Sequence, residues 1–231
     1  MPRHTPMGWQ RLALSITLIT AACGGGAGSA VDTTPAPAPA ANAEIEALYR
    51  ARTDSARMRF TEADVAFMTG MIAHHAQALV MADLAPTHGA SPPMRVLCAR
   101  ILNAQRDEIT TMQGWLRDRG QPVPEVRIEG LNLMMHGVAE HHMHMPGMLT
   151  QAQLEELDAA SGTDFDRLFL TYMIQHHRGA VTMVHELFGS DGAAQDELAF
   201  KLASDIQVDQ LTEIARMELM LDEMAPNARG R

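Results

Sequence analysis

The stretch DVAFMTGMIAHHAQALVM, residues 64–81, decides the fold, because it recurs as DRLFLTYMIQHHRGAVTM at residues 166–183. The matching positions of the two copies lie 102 residues apart throughout. A second pair of similar segments, 101–112 and 206–217, follows at an offset of 105, and the extra residues fall where a surface loop tolerates insertions. The chain therefore contains two copies of one helix–loop–helix unit, at about 61–119 and about 161–224.

The apolar seam of the first copy follows steps of four and three residues: Phe67, Met71, His74, Ala78 and Met81. Such steps place the side chains on one face of a helix. Two helical hairpins that each bury one face pair most simply into a bundle. We therefore predict an all-α fold, a four-helix bundle made of two duplicated helical hairpins.

Polar residues predict where the helices begin. Thr61-x-x-Asp64 and Thr163-x-x-Asp166 stand at matching places and indicate a capping box at the start of each copy. Ser91 followed by Pro92 is typical of the start of the next helix in repeat 1.

The N-terminal residues indicate export. Residues 1–22 combine Arg3 and Arg11 with an apolar run at 12–19, which is typical of a signal peptide, and small residues lead directly to Cys23. This is the pattern of a bacterial lipobox, in which the cysteine is lipidated; an ordinary secretory signal cut near Ala22 is the alternative. Gly, Pro and Ala dominate 23–42 and predict a flexible tether before a domain at 43–231. We expect a membrane-anchored lipoprotein of the cell envelope.

Charge and cysteine content narrow the function. The net charge of −10 argues against a nucleic-acid partner and favours cations. If Cys23 is lipidated, Cys98 is the only other thiol, so no internal disulfide can form. We expect Cys98 to be a small buried hydrophobe rather than a ligand.

Histidine and methionine share the seam of both first helices. Thioether and imidazole groups form a soft ligand set, and thioether in particular discriminates for Cu(I). The second helices carry glutamine and glutamate on or beside their seams, namely Gln105, Glu108, Gln210 and Glu213. A buried carboxylate there could fix the tautomer of a histidine or pair with an imidazolium. The candidate metal ligands of the seam are Met71, His74, His75, Met81, Met173, His176, His177 and Met183.

The connector between the repeats, 120–160, carries a second candidate site. Nine of the fifteen residues at 134–148 are methionine or histidine, although a solvated loop has no packing use for five methionines. We interpret this stretch as a flexible arm that wraps soft metal ions; low-complexity composition is the alternative. Its candidate ligands are Met134, Met135, His136, His141, His142, Met143, His144, Met145 and Met148.

Two other functions compete with metal binding. The seam histidines could form a self-satisfied polar network in a structural or interaction bundle, although burying that much polarity costs several kcal/mol unless every group is paired. A di-metal oxidoreductase would need Glu-x-x-His on two helices, and no Glu-x-x-His occurs in the sequence.

The duplicated Met-Ile-x-His-His motif, together with Met145-Pro146-Gly147-Met148, resembles the domain-of-unknown-function 305 family over roughly residues 60–224. The resemblance implies a ferritin-like helical bundle, and it implies copper binding through methionine and histidine, since members include periplasmic and secreted copper-binding proteins linked to copper resistance. It implies no reaction. The leading hypothesis is an envelope lipoprotein that sequesters copper, with Cu(I) favoured, or transfers it to an unidentified partner.

Overall fold

The computed structural model describes residues 40–136 and 145–225. The elements in these ranges are α1 (Ala40–Arg57), α2 (Glu62–Asp83), α3 (Pro92–Asp118), β1 (Glu125–Glu129), β2 (Asn132–His136), α4 (Gln151–Ala159), α5 (Thr163–Gly189) and α6 (Glu197–Met224). Helices α2 and α3 form one hairpin, α5 and α6 form the other, and α2 packs against α5. The predicted all-α bundle of two hairpins is confirmed.

Helix α2 lies at the centre of the bundle and is apolar on nearly all sides. It is long and apolar enough to cross a membrane by composition alone, but 83% of its most apolar window is buried inside the protein. A helix that is hydrophobic all round is expected in the core of a bundle as well as in a membrane. The packing of α2 against α3 and α5 accounts for its composition.

The core consists of two apolar clusters. One contains Met71 and Met183, and the other contains Met81 and Met173. Each cluster therefore combines a methionine before the histidine pair of one repeat with a methionine after the pair of the other. This arrangement indicates that α2 and α5 run in opposite directions, with the histidine pairs near the middle of the contact.

An aspartate at the start of each central helix braces the opposite hairpin. The Asp64 carboxylate of α2 accepts a hydrogen bond from the backbone N–H of Ala194, between α5 and α6, at 2.7 Å. The Asp166 carboxylate of α5 accepts from the backbone N–H of Ser91, between α2 and α3, at 3.3 Å. The two aspartates occupy matching places in the repeats. Each hairpin therefore supplies a carboxylate that accepts from a backbone N–H in the loop of the other hairpin.

The predicted helix starts are confirmed at α2 and α3 but not at α5. Thr61 and Asp64 form the expected capping box, and Ser91 is the N-cap of α3. The prediction for Thr163-x-x-Asp166 was wrong, because Gly162 is the N-cap there and no side chain caps it. The backbone N–H of Gly162 donates to the carbonyl of His88. The φ of Gly162 is 58°, in the left-handed region that glycine adopts without strain. Asp166 is thereby freed to brace Ser91.

The connector has more regular structure than the sequence predicted. Strands β1 and β2 pair antiparallel, with Glu125 opposite His136 and Glu129 opposite Asn132. The turn between them uses Gly130 at φ 60°. Val126 and Leu133 pack the hairpin against the first apolar cluster. The period-two pattern of β1 covers only five residues, which is too short to predict a strand.

Several sequence predictions fall on residues that the structure does not describe. They concern the signal peptide, the lipidated Cys23, most of the tether, and the connector residues His141, His142, Met143 and His144. Helix α1 begins at Ala40, inside the last three residues expected to be tether.

We expect the two braces to differ in strength. Asp64 accepts from Ala194 and from both the backbone and the hydroxyl of Thr61, all within 2.8 Å, whereas Asp166 has only the longer bonds to Ser91. Asp64→Ala should lower the free energy of unfolding by about 3 kcal/mol and Asp166→Ala by about 1 kcal/mol. Urea denaturation would measure both. The exposed Asp164→Ala serves as the control, and equal losses at all three positions would contradict the assignment.

Candidate metal centre

The crossing of α2 and α5 brings together the four seam histidines. The rings of His74 and His176 lie in contact, with centroids 3.8 Å apart and ring planes inclined by 38°. All four histidines are completely buried. The sequence could not decide which member of each pair faces inward, and the structure shows that both do: one turns to the other central helix and one turns to its own hairpin partner.

The outer histidine of each pair binds a glutamate of the same hairpin. Nε2 of His75 lies 2.6 Å from Glu108 on α3, and Nε2 of His177 lies 2.7 Å from Glu213 on α6. In the neutral tautomer with its proton on Nε2, that N–H donates to the carboxylate and Nδ1 keeps its lone pair. A carboxylate that holds a histidine in this way is the usual support of a metal-binding imidazole. Glu108 and Glu213, identified in the sequence, therefore have the expected place.

The inner histidines are poorly satisfied. Nε2 of His74 donates to the carbonyl of Pro146 at 3.0 Å, but neither ring nitrogen of His176 finds a hydrogen-bond partner among the described residues. Nδ1 of His74, His75 and His177 is likewise unpartnered within this part of the chain. Buried polar atoms without a partner are rare in native proteins and call for an explanation such as a bound ion.

Burial keeps the inner imidazoles neutral. Loss of solvation, reinforced by the neighbouring His75, lowers the pKa of His74 from 6.5 to about 3. Loss of solvation, and then the neighbouring His74, holds the pKa of His176 well below its usual value. Neutral imidazole is the form that binds metals, so protons do not compete for these rings at neutral pH.

Two thioethers from different predicted sites meet at Gly70. A Cβ atom at Gly70 would lie 3.0 Å from Sδ of Met145 and 3.3 Å from Cε of Met183. Met145 comes from the connector and Met183 from the seam of α5. Both line a cleft of about 280 Å³ between α2 and α5, which Glu186 also borders. The absence of a side chain at Gly70 makes room for this thioether pair.

The connector segment 145–149 is fixed across both central helices. The Gln77 side chain of α2 donates to the carbonyl of Leu149 at 3.0 Å and accepts from its N–H at 2.7 Å. On α5, a Cβ at Gly179 would lie 2.0 Å from the carbonyl oxygen of Pro146, so only glycine fits there. Gln77 and Gly179 occupy equivalent positions of the two repeats, and the sequence comparison singled out neither of them.

The other predicted ligands are dispersed. Met134 and Met135 are half-buried and His136 is exposed on β2, while Met148 is half-buried beside the fixed segment. Cys98 is buried, as expected. Considering only residues 40–136 and 145–225, no group of three or more histidine, cysteine, aspartate or glutamate side chains is arranged to hold an ion. An ion among the seam histidines would therefore need thioether ligands or a small shift of the rings.

Comparison with known proteins places these features in a family. The sequence model of the family described as "Domain of unknown function (DUF305)" matches residues 64–221. The chain is similar to the crystal structure of a DUF305 fragment from Deinococcus radiodurans, with 30% sequence identity and a TM-score of 0.59. The match covers 71% of this chain and 98% of the fragment. No curated protein sequence matches.

Two solved structures that resemble this chain contain copper. CopM in its Cu(II)-bound form is 27% identical, with coverage of 70% of this chain and 97% of its own and a TM-score of 0.53. CopM in its Cu(I)-bound form is 26% identical, with coverage of 70% and 96% and a TM-score of 0.51.

The buried histidine should make stability depend on pH. An unfolded chain protonates His74 below about pH 6.5, whereas the folded protein resists protonation down to about pH 3. The contribution of neutral His74 to the free energy of unfolding is therefore complete above pH 6.5. It falls by about 1.4 kcal/mol per pH unit as the pH drops through this window. We expect His74→Gln to reduce the slope between about pH 6 and pH 5 by this amount in metal-free protein. Denaturant unfolding would measure the slope, and the exposed His185→Gln should leave it unchanged.

Proposed function

The chain belongs to the DUF305 family, and on that premise we propose that it is a copper-binding protein of the cell envelope that sequesters or transfers the ion through its histidine and methionine side chains. The observation that carries the proposal is the layer of four buried imidazoles, which leaves five ring nitrogens without a partner in the described structure. A purely structural core would gain more from leucine at these positions.

The chemistry of the layer favours a soft or borderline ion. His75 and His177 are held by carboxylates through Nε2, so Nδ1 is the atom available to an ion. Imidazole suits copper, and thioether selects Cu(I) over zinc, magnesium and calcium. Met71, Met183, Met81 and Met173 lie in the apolar clusters that contain the two sides of the seam. These methionines and the four histidines are the ligands we propose for the core.

The cleft at Gly70 supplies a second element of the proposal. Met145 brings its sulfur and Met183 its terminal methyl group to Gly70, and Met145 precedes Pro146, whose carbonyl accepts a hydrogen bond from His74. We infer that copper reaches the histidines through this thioether pair. Movement of Pro146 would release Nε2 of His74 at the same time as it opens the path, so one displacement couples entry to ligand formation.

The Met/His-rich part of the connector forms the proposed outer site. Met134, Met135 and His136 lie on the partly exposed strand β2, and the neighbouring His141, His142, Met143 and His144 lie outside the described residues. An outer site would collect the ion and the thioether pair would pass it inward. Binding rather than turnover is the activity we propose.

Copper binding in the core and at the connector should be separable. We expect His74→Gln combined with His176→Gln to abolish the thermal stabilisation by Cu(I), because an ion in the core links α2 to α5. At a free concentration 100-fold above Kd such an ion adds about 2.7 kcal/mol. Replacing His136, His141, His142 and His144 by serine should instead lower the number of ions bound without changing that stabilisation. Competition with a Cu(I) chelator and thermal unfolding, both without oxygen, would measure the two effects.

The matched control for the copper experiment is His88→Gln combined with His185→Gln, which changes two histidines outside both sites. Unchanged stoichiometry and affinity in the core and connector variants would contradict the proposal. The absence of any Cu(I)-dependent stabilisation of the unaltered chain would favour a self-contained polar core instead.

The proposed envelope location rests on Cys23 and the segment before it. If Cys23 carries a lipid, Cys23→Ser should move the protein from the membrane fraction to the soluble fraction of the producing cells and should abolish labelling with a radioactive fatty acid. Cys98→Ser is the control, since Cys98 is buried in the bundle. Membrane association that survives Cys23→Ser would show that another feature anchors the chain.

A further inference from the structure

Helix α6 has a second apolar face that its own bundle covers only at one end, where the Phe200 ring lies 5.6 Å from the Phe188 ring of α5. Its buried face, which includes Ala199, Leu202, Ile206, Ile214 and Met217, packs into the core. On the opposite side Phe200, Val208, Leu211 and Leu219 are 50–65% exposed. Their spacing places them within about 100° of each other around the helix, with Ser204 and Ala215 filling the intervening turns. We call these six residues the α6 stripe.

The duplication provides an internal comparison for the stripe. At the 105-residue offset, the positions of Phe200, Val208, Leu211 and Leu219 correspond in α3 to Arg95, Asn103, Arg106 and Gly114. At these four equivalent positions α3 therefore carries polar residues or glycine, and it forms the same hairpin. Because the bundle does not require apolar side chains there, the stripe needs a separate explanation.

The stripe is symmetric about its own centre. Phe200 and Leu219, Ser204 and Ala215, and Val208 and Leu211 are three pairs centred on the same point, between Asp209 and Gln210. Two antiparallel copies of α6 related by a two-fold axis would thus place Phe200 opposite Leu219 and Val208 opposite Leu211 at every contact. A surface that matches itself under a two-fold rotation is what an isologous dimer requires.

Charge argues against a membrane as the occupant. The exposed residues of α6 include six acidic side chains but only Lys201 and Arg216 as basic ones. A helix that binds a lipid surface is usually rich in lysine and arginine on its polar face. Glu197 and Asp222 bound the stripe at its two ends. In an antiparallel pair of α6 helices they would face each other, so like charges oppose the contact at both ends.

We propose that the α6 stripe is a homodimer contact in which a second copy of this chain packs its own α6 antiparallel across the two-fold axis. The stripe is about 28 Å long and about 10 Å wide, or about 300 Å² per copy. Stable dimers bury about 800 Å² per partner, so the contact is weak in solution. This interaction does not depend on the copper proposal.

Sedimentation equilibrium of the metal-free full chain tests the dimer. We expect reversible dimers to form between about 10 µM and 500 µM protein, in about 0.3 M salt to screen the acidic flanks. Val208→Glu should weaken dimerisation at least about tenfold, because the substitution occurs twice in the contact and places a carboxylate against leucine. Val96→Glu is the matched control: Val96 is a valine on α3, 56% exposed against 61% for Val208.

A mixing experiment tests the antiparallel register. The Val208→Glu and Leu211→Lys variants should each be monomeric, while an equimolar mixture should recover dimers, since the introduced carboxylate and ammonium then lie opposite each other. Failure of the mixture to associate, an equal effect of Val96→Glu, or a monomer at every concentration would overturn the proposal. Loss of dimers in Leu48→Glu but not in Val208→Glu would also overturn it, because Leu48 belongs to the exposed apolar face of α1.

Discussion

The close contact between His74 and His176 is the constraint on which the rest of the structure depends. These two imidazoles, with ring centroids 3.8 Å apart, limit how near α2 and α5 approach each other. The apolar core divides around this polar layer into two clusters, one toward each end of the bundle. The glutamates of α3 and α6 then hold the outer histidines, so the positions of the flanking helices also follow from the layer.

The connector breaks the symmetry that the duplication established. Its segment 145–149 crosses only one side of the bundle, and equivalent positions of the two repeats carry different residues where it crosses. Gly70 corresponds to Tyr172, and Gln77 corresponds to Gly179. Gly70 admits the Met145 thioether and Gly179 admits the Pro146 carbonyl. The two repeats thus share one fold, but they contribute differently to the proposed path for copper.

The repeat made the architecture and the histidine seam predictable. A residue pattern that occurs twice at one constant offset rarely arises by chance, so it identifies the positions that pack in the core. Local rules were less reliable where tertiary contacts compete with them. Thr163 has the sequence of a helix cap, yet Gly162 takes that place because its backbone binds His88 in the other hairpin. The meeting of Met145 and Met183 could not be predicted, since it depends on how the connector crosses the bundle.

The crossed braces of Asp64 and Asp166 have a consequence for how the molecule is assembled. Each hairpin supplies the aspartate that accepts a hydrogen bond from a backbone N–H of the other hairpin. Each also contributes one of the two histidines in contact at the centre. Neither half satisfies its polar groups alone, so the halves are complementary fragments rather than independent modules. If the connector were cleaved once, the two fragments would associate through these same contacts and form the bundle as a complex of two chains.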